Sequence, residues 1–145
     1  MSLAADLPDV NVWLALRFAE HVHHERARRY WYEQALEQIA FCRVTALGFL
    51  RLATNENVTG GYPLSLPEAW SAYRRFRGIR GVSLATEPEG CEAVLDRLIT
   101  KARLPPRLLT DAYLAGFAEA GGFRLVTFDA DFALIPGLDL LRLEV

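Results

Sequence analysis

The chain has 145 residues, of which 52% are hydrophobic and 23% are charged, a composition typical of a globular protein and not of a disordered segment. The net charge of −2 excludes a protein that coats nucleic acid through bulk positive charge, so an anionic substrate has to be held locally, by arginines or by a metal ion. The length predicts one domain over residues 1–145.

Apolar patterns of strand type and helix type alternate along the chain, which indicates an α/β protein. The predicted elements, in chain order, are a strand at 2–7, helices at 10–18 and 24–38, a strand at 40–44, helices at 46–54 and 66–78, a strand at 82–85, helices at 89–101 and 108–120, and strands at 123–127 and 138–143. Thr45 is predicted to cap the third helix, and Gly121 and Gly122 to close the last one. We expect a central, mostly parallel sheet of four to five strands, flanked by helices.

The two cysteines, Cys42 and Cys91, lie far apart and lack the spacing of a metal site. We interpret them as reduced thiols, which favours an intracellular setting. The first eight residues carry no basic and apolar signal sequence, and no apolar run reaches membrane-spanning length. These features predict a cytoplasmic protein.

Carboxylates follow the ends of two predicted strands. Asp9 comes directly after the first strand, and Asp129 and Asp131 follow the strand at 123–127. Ligands of parallel sheets bind beyond the carboxyl ends of the strands, so Asp9 and Asp129 converge if these two strands are neighbours. Asp111 lies near the start of the helix that leads into the second of them, which makes it a third candidate at the same edge.

Carboxylates gathered in a small space repel each other unless a cation lies between them, and oxygen ligands select Mg²⁺ or Mn²⁺. The chemistry that fits such a site is hydrolysis of a phosphodiester. Taken singly, each aspartate also has a structural interpretation, Asp111 at a helix start and Asp9 and Asp129 in turns. Asp6, Asp96 and Asp139 are not expected to lie near other acidic residues at this edge, and we expect them on the surface.

Five sequence blocks follow one another along nearly the whole chain: LPDVNVWLAL at 7–16, HHERA at 23–27 with Trp31, TALGFLRL at 45–52 with Thr54 and Asn55, DAYLA at 111–115, and LVTFDADF at 125–132. In this order they resemble the PIN-domain ribonucleases of the VapC toxin type. The resemblance implies a three-layer α/β/α fold and an acidic cluster that cleaves RNA with Mg²⁺, or with Mn²⁺. It also implies a VapB-type antitoxin partner and a homodimer.

The resemblance also assigns residues by position. Asp9, Asp111 and Asp129 correspond to catalytic and metal-binding acids of the family, and Asp131 to an auxiliary metal ligand. Polar residues that line the same site in the family correspond to Asn11 and Thr127.

One position departs from the family pattern, because Gly48 stands where the block beginning at Thr45 usually has a glutamate. The missing carboxylate weakens metal binding or removes a second metal, with partial compensation by Asp131, or else the glycine leaves room for a substrate or antitoxin side chain. A catalytically weakened PIN-like module that binds RNA or a partner without cutting it is the alternative interpretation.

Arginines are the candidates for contacts with RNA phosphates. Arg51 is favoured because it lies one turn beyond Gly48, on a helix expected to border the site. The densest run, at residues 74–77, is either a phosphate contact or a solvated helix face. His23 and His24 are predicted to start the second helix and to take no part in the chemistry.

Two other classes of protein with acidic clusters require residues that this chain lacks. Phosphatases of the haloacid dehalogenase type need a second aspartate where Asn11 stands, and a late lysine. Receiver-like signalling domains also need a late lysine after a strand, whereas the only lysine of this chain is Lys101.

Overall fold

The computed structural model describes residues 4–144, and within them the chain forms five strands and six α-helices. The strands are β1 (Ala5–Pro8), β2 (Gln38–Phe41), β3 (Val82–Leu84), β4 (Phe123–Thr127) and β5 (Leu140–Arg142). The helices are α1 (Val10–Arg17), α2 (His24–Arg29), α3 (Arg43–Ala53), α4 (Leu66–Arg77), α5 (Cys91–Thr100) and α6 (Leu109–Gly121). A π-helical turn, Tyr30–Gln34, extends α2, and 3₁₀ turns cover Pro106–Leu108 and Ala130–Leu134.

The strands form one sheet in the order β3-β2-β1-β4-β5, and every ladder between them is parallel. The predicted parallel sheet and its edge strand at the end of the chain are confirmed. In the centre, β1 pairs with β4, and Pro8 lies opposite Val126. The segments that follow these two strands therefore begin side by side at the carboxyl edge of the sheet.

Side chains alternate between the two faces of the sheet, as the pleat requires. In β2, Ile39 and Phe41 pack with α1, α3 and α4, whereas Ala40 faces the core formed with α5 and α6. Trp13 of α1 anchors the first core by stacking on Phe41, with the ring centroids 3.9 Å apart. The predicted three-layer arrangement is confirmed.

Element boundaries differ from the prediction around β2. The helix predicted to reach Gln38 ends at Gln34, because the chain turns extended at Ala35 after the π-helical turn. The next helix is capped by Cys42 and not by Thr45, whose hydroxyl accepts the Cys42 N–H at 2.9 Å from inside the first turn. Of the predicted first strand, residues 2 and 3 lie outside the described range.

The prediction of a surface position is wrong for Asp6, which is fully buried. Its carboxylate accepts hydrogen bonds from the Tyr30 hydroxyl at 2.6 Å, from Arg124 Nε at 2.7 Å and Nη2 at 3.0 Å, and from the Leu36 N–H at 3.0 Å. A buried carboxylate is tolerated only when it is paired and hydrogen-bonded in this way. Asp96 and Asp139 are exposed, as predicted.

Cys42 and Cys91 are both buried free thiols, in agreement with the reduced state expected. Across the described part of the chain, no helix combines the length and the apolar character needed to cross a bilayer.

Candidate active site

Asp9 links the end of β1 to the start of α1. Its backbone N–H continues the ladder to the Val126 carbonyl at 2.8 Å, and its carboxylate caps the helix by accepting the Val10 N–H at 2.8 Å. The second carboxylate oxygen accepts the Thr127 hydroxyl at 3.0 Å. Burial raises the pKa of Asp9, and the charge of Asp129 raises it further, although the two hydrogen bonds act in the opposite direction.

Thr127 is the fully buried centre of the hydrogen bonds between the two strand ends. While its hydroxyl donates to Asp9, the same oxygen accepts the Asp129 N–H at 3.0 Å and lies 3.5 Å from Asn11 Nδ2. Asn11 also accepts the Phe128 N–H at 3.4 Å. The predicted supporting residues Asn11 and Thr127 thus fix the backbone on which the carboxylates stand.

Asp129 and Asp131 follow β4 at the same edge. The Asp129 carboxylate caps the 3₁₀ turn by accepting the Asp131 N–H at 2.8 Å. Asp131 forms an ion pair with Arg107, whose Nη1 lies 2.7 Å from Asp131 Oδ2. Arg107 comes from the 3₁₀ turn ahead of α6, 24 residues away, and no sequence motif indicated its contact with Asp131.

Asp111 stands half-buried in the first turn of α6. Burial raises its pKa to about 6, together with the negative charges of Asp9, Asp129 and Asp131, and Arg107 only partly opposes them. The structure therefore places Asp111 within electrostatic range of the other three predicted acids. We call this set, Asp9, Asp111, Asp129 and Asp131, the acidic edge.

The donor chemistry of the acidic edge fits a hard divalent cation, since carboxylates with too few positive neighbours are stabilised by one. Within residues 4–144, no group of three or more histidine, cysteine, aspartate or glutamate side chains is arranged so that it could hold a metal ion.

Comparisons with known proteins agree with this geometry. The PIN domain family matches residues 7–138. The chain is 44% identical to Ribonuclease VapC41 of Mycobacterium tuberculosis over 140 residues, which cover 92% of this chain and 95% of the relative. It is 38% identical to Ribonuclease VapC44 of the same species over 136 residues, which cover 90% and 92% of the two chains. The chain belongs to the PIN-domain family, in its VapC branch.

Solved VapC structures share the fold at low sequence identity. The crystal structure of Mycobacterium tuberculosis VapC20, a toxin that cleaves the sarcin-ricin loop, matches with a TM-score of 0.66 at 16% identity, over 92% of this chain and 96% of that one. VapBC2 from Rickettsia felis, bound to a promoter DNA fragment, matches with a TM-score of 0.68 at 14% identity, over 98% and 100%. The order of strands seen here is thus a PIN fold.

Gly48 marks the departure from the VapC pattern. A β-carbon built at this position would lie 2.7 Å from Cγ2 of Val10, which is closer than packed carbons come. The space beside Gly48 is therefore filled by α1. The glycine permits this close packing of α1 on α3. The expectation that it also leaves room for a substrate or antitoxin side chain stays a prediction.

The remaining predicted positions are surface or helix-start residues. Arg51 is exposed on the last turn of α3, and a role in substrate binding stays a prediction. His24 begins α2, with His23 as the capping position, as predicted. His23 also stacks on Phe128, the residue between Thr127 and Asp129, with ring centroids 4.5 Å apart.

Proposed function

We propose that this VapC-family chain is a Mg²⁺-dependent endoribonuclease, the toxin of a VapBC-type module, which hydrolyses RNA phosphodiester bonds at the acidic edge. The 44% identity to Ribonuclease VapC41, over nearly the whole of both chains, is the observation that carries the proposal. The gathering of four carboxylates at the carboxyl edge supports the metal dependence. Mn²⁺ has the same preference for oxygen ligands and should replace Mg²⁺.

In this mechanism Asp9, Asp111 and Asp129 would hold the metal, directly or through water, and Asp131 would assist. When bound there, a divalent ion would polarise a phosphate oxygen and lower the pKa of a water molecule. Thr127 and Val10 hold the Asp9 carboxylate in a fixed orientation through hydrogen bonds to both of its oxygens. One of the carboxylates orients the attacking water and takes its proton.

The test is cleavage of RNA by the purified chain in Mg²⁺, compared with Asp9→Asn and Asp129→Asn. Loss of a metal ligand should reduce the rate by at least about 100-fold, since loss of a residue that only supports a ligand already costs about 10- to 100-fold. Asp96→Asn is the matched control, because Asp96 is exposed on α5 and makes the same change of charge. Equal rates in all four proteins would refute the assignment.

The alternative is a catalytically weakened PIN-like module that binds RNA or a partner without cutting, and the glycine at position 48 favours it. Calorimetric titration separates the two. Mg²⁺ uptake that is lost in Asp129→Asn supports the nuclease, whereas RNA binding without any specific Mg²⁺ uptake supports the weakened module.

We further propose a VapB-type antitoxin and a homodimer as the partners of this chain. A surface cavity of about 210 Å³, lined in part by Leu16, Trp31, Phe76 and Ile79, offers the apolar contacts that a helix of a partner requires. The open reading frame just upstream should encode the antitoxin. Co-expression with a tag on that protein should copurify this chain and suppress RNA cleavage, and light scattering should give twice the monomer mass of 16.3 kDa for the free toxin.

A further inference from the structure

A positively charged feature lies outside the acidic edge. It is a groove of about 450 Å³ between α4, the start of α3 and the end of β3, and we call it the arginine groove. Its lining residues include three arginines, two aromatic residues and no acid: Arg43, Trp70, Tyr73, Arg74, Arg77, Gly78 and Leu84. In a chain with a net charge of −2, such a local excess of positive charge calls for an anionic ligand.

The arginines of this groove are not neutralised by the protein. Among the ion pairs formed within residues 4–144, none involves Arg43, Arg74 or Arg77. Arg77 is instead held against Tyr73, because its Nη1 donates to the Tyr73 hydroxyl at 2.7 Å and its guanidinium carbon lies 5.7 Å from the ring centroid. A guanidinium held in place in this way loses less entropy when it binds a phosphate.

Trp70 gives the groove an exposed aromatic surface. Its side chain is 45% exposed, although it packs beside the buried Tyr73 with ring centroids 5.3 Å apart. Sequence-tolerant binding of single-stranded nucleic acid combines a positively charged groove with aromatic rings on which bases stack. An acidic peptide would pair with the arginines alone and would not account for the exposed indole of Trp70.

The groove reaches the edge of the sheet at which the acidic edge lies. Arg43 follows β2 after the single residue Cys42, and Leu84 ends β3, so both stand at the carboxyl ends of their strands. Since β2 is the direct neighbour of β1, Arg43 follows a strand only about 4.8 Å away from the one that Asp9 follows. A strand of RNA that lies in the groove can therefore continue towards Asp9.

We propose that the arginine groove binds a single-stranded segment of the RNA substrate beside the scissile bond, with a base stacked on Trp70 and phosphates held by Arg43, Arg74 and Arg77. The inference rests on the proposed ribonuclease function, because it assigns the groove to the substrate of that reaction. Of the run at residues 74–77, Arg74 and Arg77 then contact the RNA, whereas Arg75 lies on a different surface of α4.

Two neighbouring arginines make a matched comparison. Arg74 lines the groove, whereas Arg75 lies on a different surface of α4, beside Arg17 and Glu68. The probe is a 5′-labelled oligouridylate, and its binding to the full chain is measured by fluorescence anisotropy in EDTA, where metal-dependent cleavage cannot occur. Arg74→Gln and Trp70→Ala should each weaken binding by about tenfold, and Arg75→Gln by less than about twofold.

Two further readouts test the contacts themselves. The plot of log Kd against log salt concentration should be shallower by about 0.7 for Arg74→Gln, as expected for one lost phosphate contact with a single strand. Tryptophan emission should be quenched on binding in the wild type and in Arg75→Gln, and much less in Trp70→Ala. Thermal melting curves like that of the wild type would show that the variants are folded.

Failure of the groove and failure of the proposed function give different results. If the chain cleaves RNA but Arg74→Gln and Trp70→Ala bind the probe as Arg75→Gln does, the groove assignment is overturned. Competition by polyglutamate at the same concentration as the oligouridylate also overturns it, in favour of an acidic protein segment. If binding depends on the groove but the chain cannot cleave RNA, the groove assignment is supported and the proposed ribonuclease function is refuted.

Discussion

The two ends of the β1–β4 pair carry aspartates with opposite surroundings. Near the amino end, Asp6 is fully buried and receives hydrogen bonds from Tyr30 and from both Nε and Nη2 of Arg124. At the carboxyl end, three residues further along, Asp9 faces the charge of Asp129. Although the second end is more exposed, its carboxylates are the ones left without sufficient positive charge. The comparison shows that the charge balance of a carboxylate depends on its partners and not on its burial alone.

The largest effect should come from breaking the paired end. Arg124→Leu leaves the Asp6 carboxylate buried without its cation, and we expect a loss of about 3–5 kcal/mol in the free energy of unfolding. Urea denaturation measures it. Arg142→Leu is the control, because Arg142 is a partly exposed residue of β5 whose nearest carboxylate, in Glu144, is 3.9 Å away. Equal losses of unfolding free energy in the two variants would mean that the buried pair of Asp6 and Arg124 stabilises the fold no more than an exposed ion pair does.

At the other end, the next largest effect should fall on activity. Thr127→Val removes the hydroxyl that donates to Asp9 and accepts the Asp129 N–H, so both lose orientation. RNA cleavage should slow by about 10- to 100-fold, as for other residues that orient metal ligands. Thr100→Val makes the same change on exposed α5 and should cleave at the wild-type rate. A Thr127 variant as active as this control would show that the hydroxyl does not orient the site.

The paired end should also respond to alkali. Burial, together with Asp6, raises the pKa of Tyr30 far above its usual value of 10.0, so the unfolded chain loses this proton near pH 10 while the folded chain keeps it. Stability contributed by the protonated hydroxyl is complete below pH 10 and falls as the pH rises, by about 1.4 kcal/mol at pH 11. Tyr30→Phe should lack this part of the decline. Parallel curves of unfolding free energy against pH would contradict it.

The smallest effect should be a gain in stability at the acidic edge. Asp111→Asn removes a half-exposed charge that three carboxylates oppose, and we expect melting in EDTA to indicate up to about 1 kcal/mol of stabilisation after allowance for solvent screening. Mg²⁺ should then raise the melting temperature less than it does in the wild type. Asp96→Asn is the control for the loss of one negative charge. A destabilised Asp111 variant would mean that the acidic edge is already balanced without a cation.

The sequence predicted one end of this strand pair far better than the other. Asp9 and Asp129 were found because the rule for parallel strands needs only the order of elements and the residues that follow each strand. Asp6 was placed on the surface because its partner Arg124 lies 118 residues away, and no local pattern joins them. The ion pair of Arg107 with Asp131 depends in the same way on tertiary contact.

Helix boundaries show the same division between local and distant signals. The Leu-Pro-Glu start of α4 and the left-handed Gly122 after α6 are local signals, and both elements fall where they were predicted. The end of α2 was predicted too late, because the helix passes into a π-helical turn at Tyr30–Gln34. In this turn the Tyr30 hydroxyl donates a hydrogen bond to Asp6, a tertiary contact that no local sequence pattern indicates. The predicted capping role of Thr45 failed by three residues, since Cys42 starts the helix.

The contact between Gly48 and Val10 has a consequence for how the acidic edge can change during evolution. A glutamate introduced at position 48 would place its β-carbon 2.7 Å from Cγ2 of Val10, so the substitution alone carries a packing penalty before its carboxylate reaches any metal. A smaller residue at position 10, or a shift of the Val10 side chain, would relieve this contact. The cost of a glutamate at position 48 therefore depends on the residue at position 10, and we expect the two positions to change together.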